Sequence, residues 1–370
     1  MLVVAYRLTG YPLITIGDAL ESFLDLPDVT TQNICLFTRG DAQRWQSYRQ
    51  QAVPKKEHYK GQRGWKYYET VTSKTVKLRT LRWSAAASRR RWTWTIGLLI
   101  LALLVVLGLV GAAISVTKNK VTSVLSLGFG TVQPSAIIAG WAIEKLQSTS
   151  FRIIASIFIA NLPQAILSFL YLNLNGLLTS MWVAKEYSDF ATERKYLRVS
   201  TPKGQQRSTH FLQLPYKVAV PLMTISGLLH WLVSQSIFLA VVAVYDQAGD
   251  LRNATQIASC GFSPLPMICV LVIGVLLVLG TYLVGRGKYD PSMPLAGSCS
   301  AAISAACHRP EWDSDAAVNP VQWGAVPGFG ADLGVGHCCF TSGDVEPVQE
   351  GREYAGRSTI KLRVVRKGLS

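Results

Sequence analysis

Charge is scarce in this chain, and in four places it is missing altogether. Asp, Glu, Lys and Arg make up 16% of the 370 residues, against about a quarter in ordinary soluble domains. None of the four occurs in Ile96–Val116, Ile153–Leu174, Val218–Val244 or Pro264–Val284. A buried helix of a soluble protein seldom runs for about 20 residues without a charge. A helix crossing about 30 Å of hydrocarbon needs that length, and it bonds its own backbone throughout. The missing charge therefore excludes an ordinary globular domain and points to four membrane spans.

Other signals are missing too. No nucleophile elbow, Walker loop, H-E-x-x-H pair or paired carboxylates on a recognisable scaffold occurs, so the sequence gives no ground for expecting an enzyme or a cofactor. The segment Met1–Ile16 lacks the basic start and small-residue cleavage site of a secretory signal. Insertion is then expected to use the first span as an uncleaved anchor. The net charge of +15 raises the question of nucleic acid. The basic residues are divided among separate pieces with no nucleic-acid-binding motif, so no such partner is expected.

What is present fixes an orientation. Lys and Arg number 16 before the first span, 4 between spans one and two, 7 between two and three, 1 between three and four, and 9 after the fourth. Positive residues flanking spans stay in the cytoplasm. Both termini and the middle loop are therefore expected inside, with Arg89, Arg90 and Arg91 as the strongest determinant. The sequon Asn253-Ala254-Thr255 falls in the loop expected outside, where glycosylation could reach Asn253. Trp92 and Trp94 open the first span, and Tyr216 and Tyr245 bracket the third, as interfacial aromatics do. Leu125–Ala142 is uncharged, but Gly128, Gly130, Gln133 and Pro134 interrupt it. It reads as an outer loop or re-entrant piece rather than a fifth span.

The resulting expectation is an all-α membrane protein in the plasma membrane or another secretory-pathway membrane. It has a basic cytoplasmic N-terminal region (1–93), a four-span domain (94–284) and an irregular Gly/Pro/Ser-rich cytoplasmic tail (285–370). Trp65–Trp83 alternates as one or two short strands would, then leads into a basic stem. The positive charges from Lys74 to Arg91 would lie against anionic inner-leaflet lipid, each attracted by about 1 kcal/mol.

Spans two and three carry patterned polarity. Asn161, Gln164 and Ser168 share one face of span two, while His230 and Ser234, with Gln235 beside them, mark span three. Two polar stripes on neighbouring helices are expected to face one another or a wet cavity. Either they line a path for a substrate or proton, or they hydrogen-bond the helices together. The second reading is favoured because most are neutral amides and hydroxyls. In the tail, Cys307-His308 and His337-Cys338-Cys339 could supply zinc ligands but lack the C-x-x-C spacing of a strong site. The chain thus reads as a membrane scaffold or sensor with partner-binding cytoplasmic regions, and secondarily as a transporter or channel component.

Three blocks carry a resemblance: GDALESFL from Gly17, FLQLPYKVAVPLMTISGLLHWLVSQSIFLA from Phe211, and MPLAGSCSAAISAACH from Met293. They resemble uncharacterised multi-pass membrane proteins of filamentous fungi that carry a domain of unknown function. The resemblance covers most of the chain and implies no activity, ligand or catalytic residue. It also implies longer relatives with further spans ahead of the Gly17 block, of which this chain would be the C-terminal part.

Overall fold

The computed structural model describes residues 13–32, 34–38, 40–42, 64–116, 128–129, 149–210, 214–245, 251–329 and 335–365. Among the described residues, four helices are long and apolar enough to cross a membrane. They are α2 (Arg89–Val116), α3 (Thr149–Asp189), α4 (Tyr216–Ser236) and α5 (Pro264–Gly285). Two shorter helices, α1 (Ile16–Asp25) and α6 (Ser300–Ala306), lie outside them. The chain divides into two compact units, one of residues 87–179 and 214–285 and the other of 1–86, 180–213 and 286–370.

In the helical unit, α5 packs along both α2 and α4, whereas α3 makes few close backbone approaches to any of them. Gly274 sets the α2–α5 distance: a Cβ there would stand 2.5 Å from Leu103 Cδ2. Leu229, Leu232 and Val270 form an apolar cluster, with Val106 and Leu167 against it. Pro163 and Pro221 lie inside α3 and α4, where each removes one backbone donor.

The third span departs from the sequence reading of 218–244. Its helix stops at Ser236, and β4 (Ile237–Tyr245) then pairs antiparallel with β5 (Leu251–Phe262). The run Ile-Phe-Leu-Ala-Val-Val-Ala-Val-Tyr is as apolar as a span but rich in β-branched and aromatic residues, which suit a strand. Hydropathy cannot distinguish the two. Phe238 faces Gly261 across the ladder, its ring filling the space a Cβ would need at 2.5 Å. Beyond the charge-free run of the second span, α3 continues to Asp189.

The second unit corrects the all-α expectation, since it holds three two-stranded sheets beside the hairpin of the helical unit. β1 (Gly64–Thr75) pairs antiparallel with β8 (Glu353–Val365), β2 (Arg198–Val199) parallel with β3 (Arg207–Ser208), and β6 (Gln322–Ala325) antiparallel with β7 (Cys338–Thr341). The tail expected to be irregular therefore supplies α6, β6, β7 and β8. One buried cluster unites the segments: Leu20 and Leu24 of α1, Leu197 and Val199 of the middle segment, and Val321, Trp323 and Phe340 of the tail.

Local rules explain how α1 joins this core. Thr15 and Asp18 form a reciprocal capping box at its N-terminus. The Asp18 carboxylate also accepts from Ser200 N at 2.6 Å and Ser200 Oγ at 2.8 Å. Gly17 brings the helix onto Arg198, whose carbonyl oxygen is 1.9 Å from where a Cβ would lie. A larger residue has no room there.

Candidate functional site

Of the six intramembrane polar residues expected to cluster, the structure brings two together. His230 Nδ1 lies 2.6 Å from Gln164 Oε1, and Gln164 Nε2 donates to the His230 carbonyl at 3.0 Å. With the amide nitrogen committed to that carbonyl, Oε1 can only accept, so Nδ1 carries the proton. This two-bond clasp joins α3 to α4.

The other four do not join it. Asn161 Nδ2 donates to Ile157 O at 2.8 Å, Ser168 Oγ to Gln164 O at 3.1 Å, and Ser234 Oγ to Trp231 O at 2.7 Å. Each thus bonds within its own helix, as hydroxyls and amides do in apolar surroundings. Asn161 and Ser168 are exposed on the helix surface, and Gln235 is half-buried. The shared face that spacing assigned to Asn161, Gln164 and Ser168 is broad enough for one member to point inward while the others point out.

Beside the clasp lies a cavity of about 90 Å³ reached by all four helices, through Leu103, Leu170, Leu229 and Gly274 among others. Its lining is apolar apart from Tyr171 and Ser226. Periodicity gave no sign of it. A gap between helices depends on how far apart their axes stand, and that follows from packing rather than from pattern.

The cysteines and histidines of the second unit lie in its core. Cys307, Cys338 and Cys339 are fully buried, and Cys35 Sγ donates to Ala355 O at 3.0 Å. Burial pushes the thiols of Cys307, Cys338 and Cys339 well up, with neighbouring cysteines adding to it. They are thus held as neutral, unreactive thiols. Among the described residues, no group of three or more His, Cys, Asp or Glu is arranged to hold a metal ion. The zinc reading of these two clusters gains nothing from the geometry.

Thr31 organises the neighbourhood of His308. Its Oγ1 lies 3.1 Å from Asp28 O, 2.7 Å from Ser304 Oγ and 2.9 Å from His308 Nε2. One assignment satisfies all three: Thr31 donates to the carbonyl and accepts from the Ser304 hydroxyl and the His308 Nε2–H. Burial lowers the His308 pKa, with Asp28 acting against it. His337 is 3% exposed, its Nε2 has no hydrogen-bond partner among the described residues, and its ring meets Phe329 edge-on at 4.7 Å. The sequence singled out both histidines for metal chemistry and gave no sign of Thr31 or Ser304. That grouping depends on α6 and the residues just after it packing against a segment 273 to 277 positions earlier in the chain.

A second cluster missed by sequence reading is aromatic. Trp83 meets Trp182 edge-on at 4.9 Å and stacks near Tyr289 at 6.1 Å. Backbone bonds from Trp83 N to Gly287 O at 2.8 Å and from Tyr289 N to Leu81 O at 2.9 Å tie the same segments. Lys74 reaches Leu36 O at 3.0 Å and Asp41 at 3.2 Å.

Fold and sites together describe a membrane protein in which the described residues include four helices long and apolar enough to span, with a mixed α/β unit assembled from three separate stretches of chain. It belongs to the family defined by the Domain of unknown function (DUF8419), whose model matches residues 15–355. No curated protein and no solved structure is significantly similar to the chain.

Proposed function

We propose that the protein is a non-enzymatic membrane scaffold or sensor whose mixed α/β unit lies in the cytoplasm and binds protein partners. The Gln164–His230 clasp carries this reading. The two residues best suited to a substrate or proton path are bonded to each other, and the space beside them is apolar. A path for a polar solute needs polar groups that remain available to it.

Sidedness is supported by the core of the mixed unit. Leu20, Val199 and Phe340 belong to segments lying before span one, after span two and after span four, yet share one buried cluster. Such a core cannot straddle a bilayer, so all three segments occupy one side. That requires an even number of crossings between the first segment and the second. A further span at 125–142 would make it odd; apart from Gly128 and Phe129, that stretch lies outside the described residues. The excess of Lys and Arg in the same three segments supports the cytoplasm as that side. A plasma membrane or another secretory-pathway membrane suits this orientation.

Reconstitution of the full chain into vesicles tests the proposal. Replacing Gln164 or His230 by Leu removes an interhelical bond, which typically costs about 0.6 to 1.7 kcal/mol in a membrane bundle. Folded yield is expected to fall while ion and solute flux stays at the level of empty vesicles. A flux carried by the wild type and abolished by either substitution, with yield unchanged, would establish a transporter or channel component instead.

A further inference from the structure

The cavity of the helical unit has a definite place along its helices. It runs from Leu99, Leu174 and Leu222 to Leu167 and Leu229. Leu229 directly precedes His230, and Leu167 is one helical turn past Gln164, so the clasp marks one end. The other end lies toward the N-terminus of α2 and Gly176 of α3. There the Arg91 guanidinium lies over Gly176, its Nη2 2.7 Å from where a Cβ would be. Arg91 is exposed, and no carboxylate pairs with it among the described residues.

Two properties decide what can occupy the cavity. Water needs two to four polar partners to be held, and the Tyr171 and Ser226 hydroxyls are the lining's polar side-chain groups. The space therefore suits hydrocarbon. Its volume corresponds to about three water-sized units at roughly 30 Å³ each. That matches a few methylene groups of a chain, not a whole ligand. The charge at the Arg91 end supplies the remainder, because a guanidinium binds phosphate through paired N–H donors. Absence of a side chain at Gly176 leaves room for it beside α3.

We propose that this cavity takes an acyl chain of an anionic glycerophospholipid whose phosphate is held by Arg91, the positive charge of the exposed guanidinium favouring a headgroup of net negative charge over a zwitterionic one that carries the same phosphate. The proposal rests on the membrane placement argued above and names a ligand for the sensor reading. Clasp, cavity and guanidinium then form one column along α3, which makes the gap between α3 and its neighbours a lipid-filled joint.

The test is native mass spectrometry of the full chain released from nanodiscs of equal phosphatidylcholine and phosphatidylserine. The wild type is expected to retain one phosphatidylserine. Ala102→Phe, which fills the cavity from α2, is expected to lower retention at least tenfold at unchanged helical content. Arg91→Gln alters an exposed side chain and is expected to reduce the preference for phosphatidylserine about fivefold, the value of one surface charge against anionic lipid. Equal retention by all three proteins, equal retention of both lipids by the wild type, or displacement of phospholipid by added sterol would overturn the proposal. Flux and lipid retention are separate readouts. A conducting chain that keeps its phosphatidylserine would sink the scaffold reading alone, and a silent chain that keeps none would sink this one alone.

Discussion

His337 shows what a single buried ring does to the chain's response to pH. Burial, reinforced by the charge of nearby His308, pushes its pKa down from 6.5 to about 4. In the unfolded chain the ring takes up a proton near its ordinary value; in the folded unit it stays neutral until far lower pH. Between those two values the unfolded state binds more protons, so stability falls as pH drops from about 6.5 toward 4. The full difference is roughly 3 kcal/mol. His308, also lowered by burial, acts in the same direction. Asp18 adds to it at lower pH: burial raises its carboxyl, but hydrogen bonds from Ser200 and Thr15 outweigh this and the net shift is downward. Thermal unfolding of the mixed unit within the full chain, followed from pH 7.5 to 4.5, is expected to show this loss. His337→Phe should flatten the slope while leaving stability at pH 7.5 less affected. A slope unchanged by the substitution would assign the pH response to other groups.

Elements differ in how well the sequence announces them, and the third span shows why. Helices α2 and α5 are uniformly apolar and were legible, because hydropathy reports burial in lipid directly. Span three was legible in its first part and misread after Ser236, where apolar content continues while the backbone changes from helix to strand. The polar stripe on span two was legible as a period; which member meets its neighbour was not, since that is set by the axis of α4. Helix α1 opens on the capping box of Thr15 and Asp18, a local pattern, but its seat is not local, because Arg198 lies 181 residues from Gly17. That seat makes a prediction. Gly17→Ala puts a methyl within 1.9 Å of the Arg198 carbonyl oxygen, so α1 must lift, weakening the Thr15–Arg198 and Asp18–Ser200 bonds. Overpacking of this kind costs about 1 to 3 kcal/mol. Limited proteolysis is expected to cut near α1 faster in the variant, with the membrane helices untouched. Equal cleavage rates would mean that the helix has slack at this contact.

At the scale of the whole molecule, the two compact units interleave along the sequence, since one core draws on segments before, between and after the long helices. The mixed unit takes its residues from three stretches that the long helices separate in sequence. Short segments that could not bury a core alone, such as 180–213, are thereby stabilised by partners from both ends of the chain. This is why the regions outside the spans read as incomplete when taken one at a time, and why the glycine-rich tail gave little sign of its strands. Under the sidedness proposed above, the segment between spans three and four, with its β4–β5 hairpin, faces away from the cytoplasm, and Asn253 lies in β5. Expressed in a secretory-pathway membrane with a tag at each terminus, the protein is expected to leave both tags accessible to cytosolic protease. Asn253, or a sequon moved to positions between β4 and β5, should be glycosylated. An accessible N-terminal tag with a protected C-terminal one would require an odd number of crossings. Leu20 and Phe340 could not then share a core, and the mixed unit would have to be rebuilt from segments on one side only.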